Sequence, residues 1–342
     1  MNGEDYKQID RHKDYPWPVE RVLSRLIILT LALAGMGTAY QVIASALDKR
    51  KYPPPGKRVD IGGYRLHIHC IGEGQPTVVL DSGYGCIGLD WSLVQPEVAK
   101  LTRVCSYDRA GYGWSDASPK PRTPQQIVEE LRRLLAISGI EGPHILVGHS
   151  LGGLYMQYFA RRYPDEVSGV VLIDSSHPDL YQRLPLTARR QGDNWRKKRW
   201  LASQLGLLRL GVLSGLVESE TPEKLPSEVQ RVITALWLRS SFWRAVIGEG
   251  KALNKDISEV FRATGSFPNV PLFVLTSPDT EWLSDIGPDF PAFWQQAQIE
   301  LASLSPSGRL IIAEQSGHMI LHDQPDLVID TIRQAIEMAR CQ

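Results

Sequence analysis

The sequence predicts an α/β protein, a mostly parallel sheet of eight strands wrapped by helices, with one transmembrane helix in front of it. Three observations carry this prediction. From residue 58 onward, short apolar β-rich runs alternate with helical patterns. Residues 177–265 break the alternation and are rich in Leu, Trp and Arg without strand signals, which predicts a helical insertion. Residues 26–47 carry no charge over 22 positions.

The uncharged segment divides the chain into a tail at 1–25, a transmembrane helix at 26–47, a proline-rich linker at 48–57 and an α/β domain at 58–342. At about 1.5 Å per residue, 22 helical residues span the roughly 30 Å hydrocarbon core of a bilayer. The segment could instead be a buried core helix, or a signal peptide cleaved after Ala46, because Ala44-Ser45-Ala46 resembles a cleavage site. The preceding tail carries five acidic residues, whereas a signal peptide begins with a short basic region, so an uncleaved single-pass anchor is favoured. Five basic residues stand on each side of the segment, which leaves its orientation open.

The linker residues Tyr52–Gly56 predict a stiff polyproline II spacer that holds the following domain away from the membrane. Gly62-Gly63 predicts a hairpin between the first two strands. The eight strands are predicted at Arg58–Ile61, Tyr64–Ile71, Thr77–Leu80, Arg103–Tyr107, His144–Val147, Gly169–Ile173, Leu272–Thr276 and Leu310–Ala313. Helices with apolar residues at helical spacing are predicted at Pro124–Ile137 and Pro325–Ala339.

The composition excludes some classes of protein. The chain has 38 basic and 38 acidic side chains, and a nucleic-acid-binding protein normally carries a basic excess. Cys70, Cys86, Cys105 and Cys341 stand far apart, with no C-x-x-C spacing. This argues against a zinc site and against a small disulfide-stapled scaffold, so we predict buried thiols.

The run Ile145–Gly153 reads as an apolar strand, then G-x-S-x-G, then a helical segment. In this context the turn is tight enough to require glycine two residues either side of the serine, and it exposes the hydroxyl at the start of the helix. We therefore predict that Ser150 is a nucleophile. His149 is adjacent in the turn and should point away from the serine, which predicts a structural role.

With these motifs the chain resembles the α/β-hydrolase family over Val59–Ala339. Three further segments carry the resemblance: Ser82–Gly85, Asp108–Ser115 and Ser316–His318. Many relatives have His-Gly where this chain has Ser82-Gly83, but a backbone donor does not need the histidine. We expect the Asp108–Ser115 loop to form a wall of the pocket.

A serine hydroxyl needs an imidazole to accept its proton, and the imidazole needs a carboxylate that fixes its tautomer. The fold that the resemblance implies has the chain order Ser, Asp or Glu, His. We predict His318 as the base, with His322 as its rival. Asp279, just past the seventh strand where the family places the acid, is the first candidate for the carboxylate. Asp174, at the end of the sixth strand, is the main alternative, and Glu281 and Asp285 are nearby surface alternatives.

Two backbone N–H groups are expected to stabilise the negative oxygen of a tetrahedral intermediate. The residue after the nucleophile, Leu151, gives one of them. By the resemblance, Tyr84 gives the other.

The predicted insertion contains a basic cluster, Arg196–Arg199, followed by leucines from Leu205 to Leu216. This combination suits a surface that touches anionic lipid headgroups while its apolar face covers a site. The other interpretation is a solvated charged face beside an ordinary lid core.

The resemblance implies a serine hydrolase that cleaves carboxylic esters, apolar or lipid-like ones above all, without metal or cofactor. The uncharged segment predicts that this hydrolase is membrane-anchored. Peptidase, thioesterase, acyltransferase and carbon–carbon hydrolase activities use the same residues and stay open. A non-catalytic binding protein on the same fold is the alternative from another class. The expected partners are a small-molecule or lipid-like ester and a membrane. The sequence does not predict the oligomeric state.

Overall fold

A computed structural model describes residues 19–219, 221–253 and 257–341. Its centre is an eight-stranded sheet with the strand order β1-β2-β4-β3-β5-β6-β7-β8. The strands are β1 (Lys57–Asp60), β2 (Arg65–Ile71), β3 (Thr77–Asp81), β4 (Val104–Tyr107), β5 (His144–His149), β6 (Val167–Ile173), β7 (Leu272–Thr276) and β8 (Arg309–Ile312). β2 runs antiparallel to β1 and β4, and the other neighbours are parallel. The predicted mostly parallel sheet of eight strands is confirmed.

The helices are α1 (Val19–Lys51), α2 (Gln95–Val98), α3 (Pro124–Ile137), α4 (Leu151–Arg162), α5 (Leu180–Arg183), α6 (Leu186–Gln204), α7 (Leu207–Leu213), α8 (Ser227–Trp237), α9 (Ser240–Ala252), α10 (Ile257–Ala263), α11 (Phe290–Ala302), α12 (Ile320–Asp323) and α13 (Pro325–Arg340). Helices α5 to α10 lie between β6 and β7, where the sequence predicts a helical insertion. We call them the lid.

Alternation along the strands divides the core into two layers. On β3, Val79 packs with the apolar faces of α3 and α4, whereas Val78 and Leu80 pack with α13 on the other face of the sheet. All three valine and leucine side chains are buried. The sheet is therefore covered on both faces, as parallel sheets require, and the carboxyl ends of its strands stay free to carry a site.

The turn between β1 and β2 is formed by the two glycines that predict it. Asp60 Oδ1 accepts hydrogen bonds from the backbone N–H groups of Gly62 and Gly63 at 2.7 and 2.8 Å. Both glycines have positive φ, at 115° and 98°, a region that side chains with a Cβ rarely adopt. The hairpin therefore joins β1 to β2 where we predicted it.

The N-terminal helix differs from its prediction. The helix α1 is long and apolar enough to cross a membrane, and most of its large apolar side chains are exposed, among them Leu26, Leu29 and Leu33. It continues through residues 48–51, which were predicted as linker. Residues 1–18 of the predicted tail lie outside the described residues.

The predicted spacer packs against the α/β domain. Trp114 Nε1 donates a hydrogen bond to the Tyr52 carbonyl at 3.0 Å, and His67 Nε2 contacts the Pro55 carbonyl. The helix itself touches the lid, because Gln41 Nε2 donates to the Leu238 carbonyl at 2.8 Å. The linker is therefore held against the α/β domain by these contacts, and its distance from a membrane stays a prediction.

The prediction of four thiols is also wrong. Cys70 on β2 lies directly opposite Cys105 on β4, with 4.0 Å between the Cα atoms, and the two form a disulfide. They are 35 residues apart in sequence, so the pairing depends on a strand register that residue spacing does not reveal. Cys86 and Cys341 are free thiols.

Candidate active site

Ser150 lies in the turn between β5 and α4, with φ at 51°. A Cβ on Gly148 would lie 2.5 Å from the Gly153 nitrogen, and one on Gly152 would lie 2.4 Å from the Asp81 carbonyl oxygen. Side chains at these positions would collide with backbone, so both glycines of the motif are sterically required. Ser150 is thereby held at positive φ as the N-cap residue of α4.

His318 lies in the loop between β8 and α12. Its Nδ1 is 2.6 Å from Oδ2 of Asp174. Its ring packs against Trp282 and Trp294, with centroid distances of 4.5 and 5.8 Å. The imidazole is therefore fixed by one carboxylate and two indole rings, and it lines the same cavity as Ser150.

The carboxylate at His318 is Asp174, the residue that follows β6, and not Asp279. Asp174 is fully buried and has positive φ. Its Oδ1 accepts hydrogen bonds from Trp294 Nε1 at 2.9 Å and from Thr276 Oγ1 at 3.0 Å. These contacts aim Oδ2 at the imidazole.

Asp279 is exposed, and its Oδ1 accepts a hydrogen bond from the backbone N–H of Glu281 at 3.1 Å. The expected contact is therefore corrected from Asp279 to Asp174, the alternative that the sequence had left open. The physical reason is that Thr276 and Trp294, which come from β7 and α11, give the buried aspartate its partners.

His149 and His322, the rival of His318, have other contacts. His149 Nε2 donates to the His318 carbonyl at 3.0 Å, and burial lowers the pKa of His149 well below its ordinary value. His322 Nε2 donates to the Asp90 carbonyl at 2.9 Å, and burial also lowers its pKa. His149 thus supports the backbone of the His318 loop, as its predicted structural role requires.

The loop after β3 lies against the serine. A Cβ on Gly83 would lie 2.9 Å from His149 Nδ1 and 3.3 Å from Ser150 Cβ, so only glycine lets this backbone approach so closely. Tyr84 follows, and its hydroxyl donates to the Val246 carbonyl at 2.6 Å. Leu151 begins α4, so its N–H is among those that lack an intrahelical acceptor. Gly83, Tyr84 and Leu151 line one cavity with Ser150.

A buried ion network supports this loop, and the sequence motifs did not predict it. Arg109 Nη1 donates to the Ser82 carbonyl at 2.6 Å, and Nη2 donates to the Gly83 carbonyl at 2.7 Å. The same guanidinium bonds the carboxylates of Asp81 and Glu249, at 2.6 and 2.7 Å. Glu249 belongs to α9, so the network joins the loop to the lid. The signal in the sequence is Arg109, a charged residue inside the Asp108–Ser115 segment. For that segment we predicted only a role in the pocket wall.

The cavity at Ser150 has a volume of about 410 Å³, within the range typical of small-molecule sites. Much of its lining is apolar, including Leu180, Leu184, Leu253, Ile286 and Met319. A second cavity of about 400 Å³ shares Tyr84, Cys86 and Met319 with the first and is lined by Trp195, Trp237, Phe242 and Trp243. Among the described residues, no group of three His, Cys, Asp or Glu side chains is placed to hold a metal ion.

The basic cluster of the lid is divided between two surfaces. Arg196 lines the cavity and forms an ion pair with Asp193 at 2.6 Å. Lys197 and Lys198 are exposed. Only part of the predicted headgroup-binding cluster is therefore directed outward.

The comparisons with known proteins agree with this fold. A model of the alpha/beta hydrolase family matches residues 78–331, which is more than half of the chain. The chain belongs to the α/β hydrolase family.

Two curated relatives and one solved structure illustrate how varied the proteins similar to this chain are. The chain is 23% identical over 313 residues to a probable transporter, efuK, of Hormonema carpetanum, with 82% of this chain and 42% of the relative covered, so it spans less than half of that protein. It is 24% identical over 302 residues to an AB hydrolase superfamily protein of Gibberella zeae, with 78% of this chain and 88% of the relative covered. A thermophilic esterase from Thermogutta terrifontis superposes with a TM-score of 0.61 at 21% identity, over 83% of this chain and 99% of the esterase. At this identity the esterase shows the shared fold.

Proposed function

We propose that the protein is a serine hydrolase that cleaves carboxylic esters with an apolar part, through an acyl-enzyme on Ser150. The observation that carries the proposal is the bond between His318 Nδ1 and Asp174 Oδ2 beside the strained Ser150 turn, at the wall of a largely apolar cavity. A carboxylate that accepts the Nδ1 proton leaves Nε2 with its lone pair, which is the tautomer of a general base.

The proposed reaction has two halves. Ser150 Oγ attacks the ester carbonyl carbon while His318 Nε2 takes the hydroxyl proton, and the backbone N–H groups of Tyr84 and Leu151 bind the negative oxygen that forms. The intermediate collapses when the C–O bond breaks and His318 returns the proton to the leaving alcohol. Water then attacks the acyl carbonyl carbon while His318 Nε2 takes a proton from it. The bond from this carbon to Ser150 Oγ breaks, His318 returns the proton to Oγ, and the carboxylic acid leaves.

We propose ester hydrolysis, and not another reaction that Ser150, His318 and Asp174 could catalyse, because of the lining of the cavity. Its lining offers extended apolar surface and few polar partners, which suits an alkyl or aryl group of an ester better than a peptide, whose amide groups would lose hydrogen bonds. Thioesters and carbon–carbon bonds are outcomes that a substrate panel distinguishes.

We also propose that α1 anchors the protein in a membrane as a single pass. The support is the row of exposed apolar side chains along α1, which the rest of the described chain leaves uncovered. The Cys70–Cys105 disulfide is typical of oxidising compartments, which favours an extracytoplasmic location of the α/β domain.

The test is active-site labelling of the full-length protein with a fluorophosphonate, followed by p-nitrophenyl esters of increasing chain length. Ser150→Ala should abolish labelling and lower turnover by about 10⁴-fold or more, as loss of the nucleophile does in other serine hydrolases. Ser176→Ala is the matched control, because Ser176 is a second serine in the same cavity, and it should still be labelled.

Wild-type labelling of Ser150→Ala would refute the nucleophile. A wild-type protein that neither takes the label nor hydrolyses any ester would favour the non-catalytic binding protein.

A further inference from the structure

The lid carries an apolar surface that no described part of the chain covers. On α7, Leu207, Leu210 and Leu213 are 56%, 49% and 73% exposed, and Leu216 in the loop that follows is 85% exposed. The three helical leucines are spaced by three residues, so they share one face of α7. We call these four residues the leucine face.

The start of α7, which carries the leucine face, packs against α1. A Cβ on Gly37 would lie 2.3 Å from the Leu205 carbonyl oxygen, and one on Gly206 would lie 2.9 Å from the Gly37 carbonyl oxygen. The backbones therefore touch through two glycines, as closely packed membrane helices do. Further along, Arg209 Nη2 bonds Asp48 Oδ2 at 2.7 Å. These contacts place α7 alongside the part of α1 between Gly37 and Asp48.

The length of α1 sets the depth of this contact. Its uncharged segment runs from Leu26 to Leu47. If the hydrocarbon core ended at Gly37, only about 12 residues, or about 18 Å of helix, would be available to cross about 30 Å. Residues of α1 beyond Gly37 must therefore lie in hydrocarbon, and Arg209 of α7 contacts one of them, Gln41.

Polar groups at this depth are satisfied by the lid. Gln41 is the only residue of α1 in the buried class. Its Nε2 donates to the Leu238 carbonyl at 2.8 Å, and its Oε1 accepts from Arg209 Nε at 3.3 Å. An amide within a transmembrane helix needs such partners, because lipid offers none.

The charges of the lid agree with the same depth. From Leu201 to Val217 the only charged residue is Arg209, which is buried and paired with Asp48. Exposed Lys197 and Lys198 stand about one turn before Leu201 on α6. This order, lysines and then leucines, is that of a segment whose cations lie at the headgroups and whose apolar side chains enter the acyl chains.

We propose that the leucine face is embedded in the same membrane leaflet as the C-terminal half of α1, so that the lid itself contacts lipid hydrocarbon. The inference rests on the proposed anchoring of α1. The partner is the acyl-chain region of the bilayer. At its other end α6 lines the cavity with Ala188, Gly192 and Arg196, so one helix joins the embedded surface to the wall of the site.

The test measures depth with the full-length protein in phosphatidylcholine vesicles. Single cysteines carry an environment-sensitive fluorophore in a Cys341→Ser background, since Cys341 is exposed whereas burial raises the pKa of the Cys86 thiol. The probe positions are Leu213→Cys on the leucine face, Leu33→Cys on α1 and Ile137→Cys on α3, which are 73%, 56% and 55% exposed.

Nitroxides on lipid acyl chains should quench the probes at positions 213 and 33 several-fold more than the probe at position 137, and aqueous iodide should show the reverse order. Acyl-chain quenching at position 33 with iodide quenching at position 213 would overturn the embedded lid and leave the anchor intact. Iodide quenching at both positions would refute the anchor, and the embedded lid with it.

Discussion

At the scale of single residues, the two aspartates near the strand ends differ in what surrounds them. Asp174 has a buried carboxylate that contacts His318, whereas Asp279 is exposed. We expect Asp174→Asn to lower kcat by about 10³ to 10⁴-fold, because the amide favours the wrong tautomer of the imidazole. Asp279→Asn is the matched control and should stay near wild type. Steady-state kinetics on one soluble ester check this, and a large loss in Asp279→Asn alone would restore the original assignment.

His149 gives a residue-scale prediction about pH. Burial holds its pKa well below the ordinary value of about 6.5, so the folded protein keeps this imidazole neutral while the unfolded chain protonates it. The free energy of unfolding should therefore fall as the pH drops below about 6.5, by about 1.4 kcal/mol per pH unit for this one proton.

His149→Gln keeps a donor toward the His318 carbonyl but does not titrate. Denaturant unfolding between pH 7 and pH 5 should show a shallower acid slope for this variant than for wild type. Equal slopes would mean that His149 is protonated in the folded protein.

At the scale of elements, α9 holds the loop after β3 at two points. Tyr84 Oη donates to the Val246 carbonyl, and Arg109 connects the loop carbonyls to Glu249. The two carbonyls that Arg109 binds precede Tyr84, so the guanidinium fixes the backbone on which the proposed N–H donor of Tyr84 depends. The lid thereby positions a loop of the proposed site.

We expect Glu249→Ala to lower the free energy of unfolding by about 3–5 kcal/mol, because it leaves Arg109 partly uncompensated in the interior. kcat on a soluble ester should also fall in the fraction that stays folded. Glu259→Ala is the control, since Glu259 is an exposed lid glutamate on α10. Denaturant unfolding and kinetics measure both effects. Unchanged kcat in folded Glu249→Ala would limit the network to a structural role.

At the scale of the whole molecule, the disulfide joins the antiparallel part of the sheet. Closing a loop of 35 residues should add about 3–4 kcal/mol to the free energy of unfolding in the chain-entropy model. The Cys70→Ser, Cys105→Ser double variant should lose this amount, whereas Cys341→Ser should stay near wild type. Denatured, unreduced protein should show two free thiols. If all four cysteines of the wild-type protein are alkylated without prior reduction, the Cys70–Cys105 pairing is contradicted.

The sequence by itself determined the local features. The glycines around Ser150, the eight strands and the uncharged segment of α1 each follow from residues that are neighbours in the chain, because steric limits, alternation and length act over a few positions. The Gly62-Gly63 turn is of the same kind, since Asp60 caps it from two and three residues away.

Only the tertiary structure decided which distant groups meet. Asp174 is chosen over Asp279 by partners 102 and 120 residues away, Thr276 and Trp294. Cys70 meets Cys105 through strand register, and Gln41 finds its acceptor in the lid 197 residues later. The physical reason is common to all three. A strand end or a helix face offers several candidates of the right chemistry, and packing between elements selects the one that becomes buried with a partner.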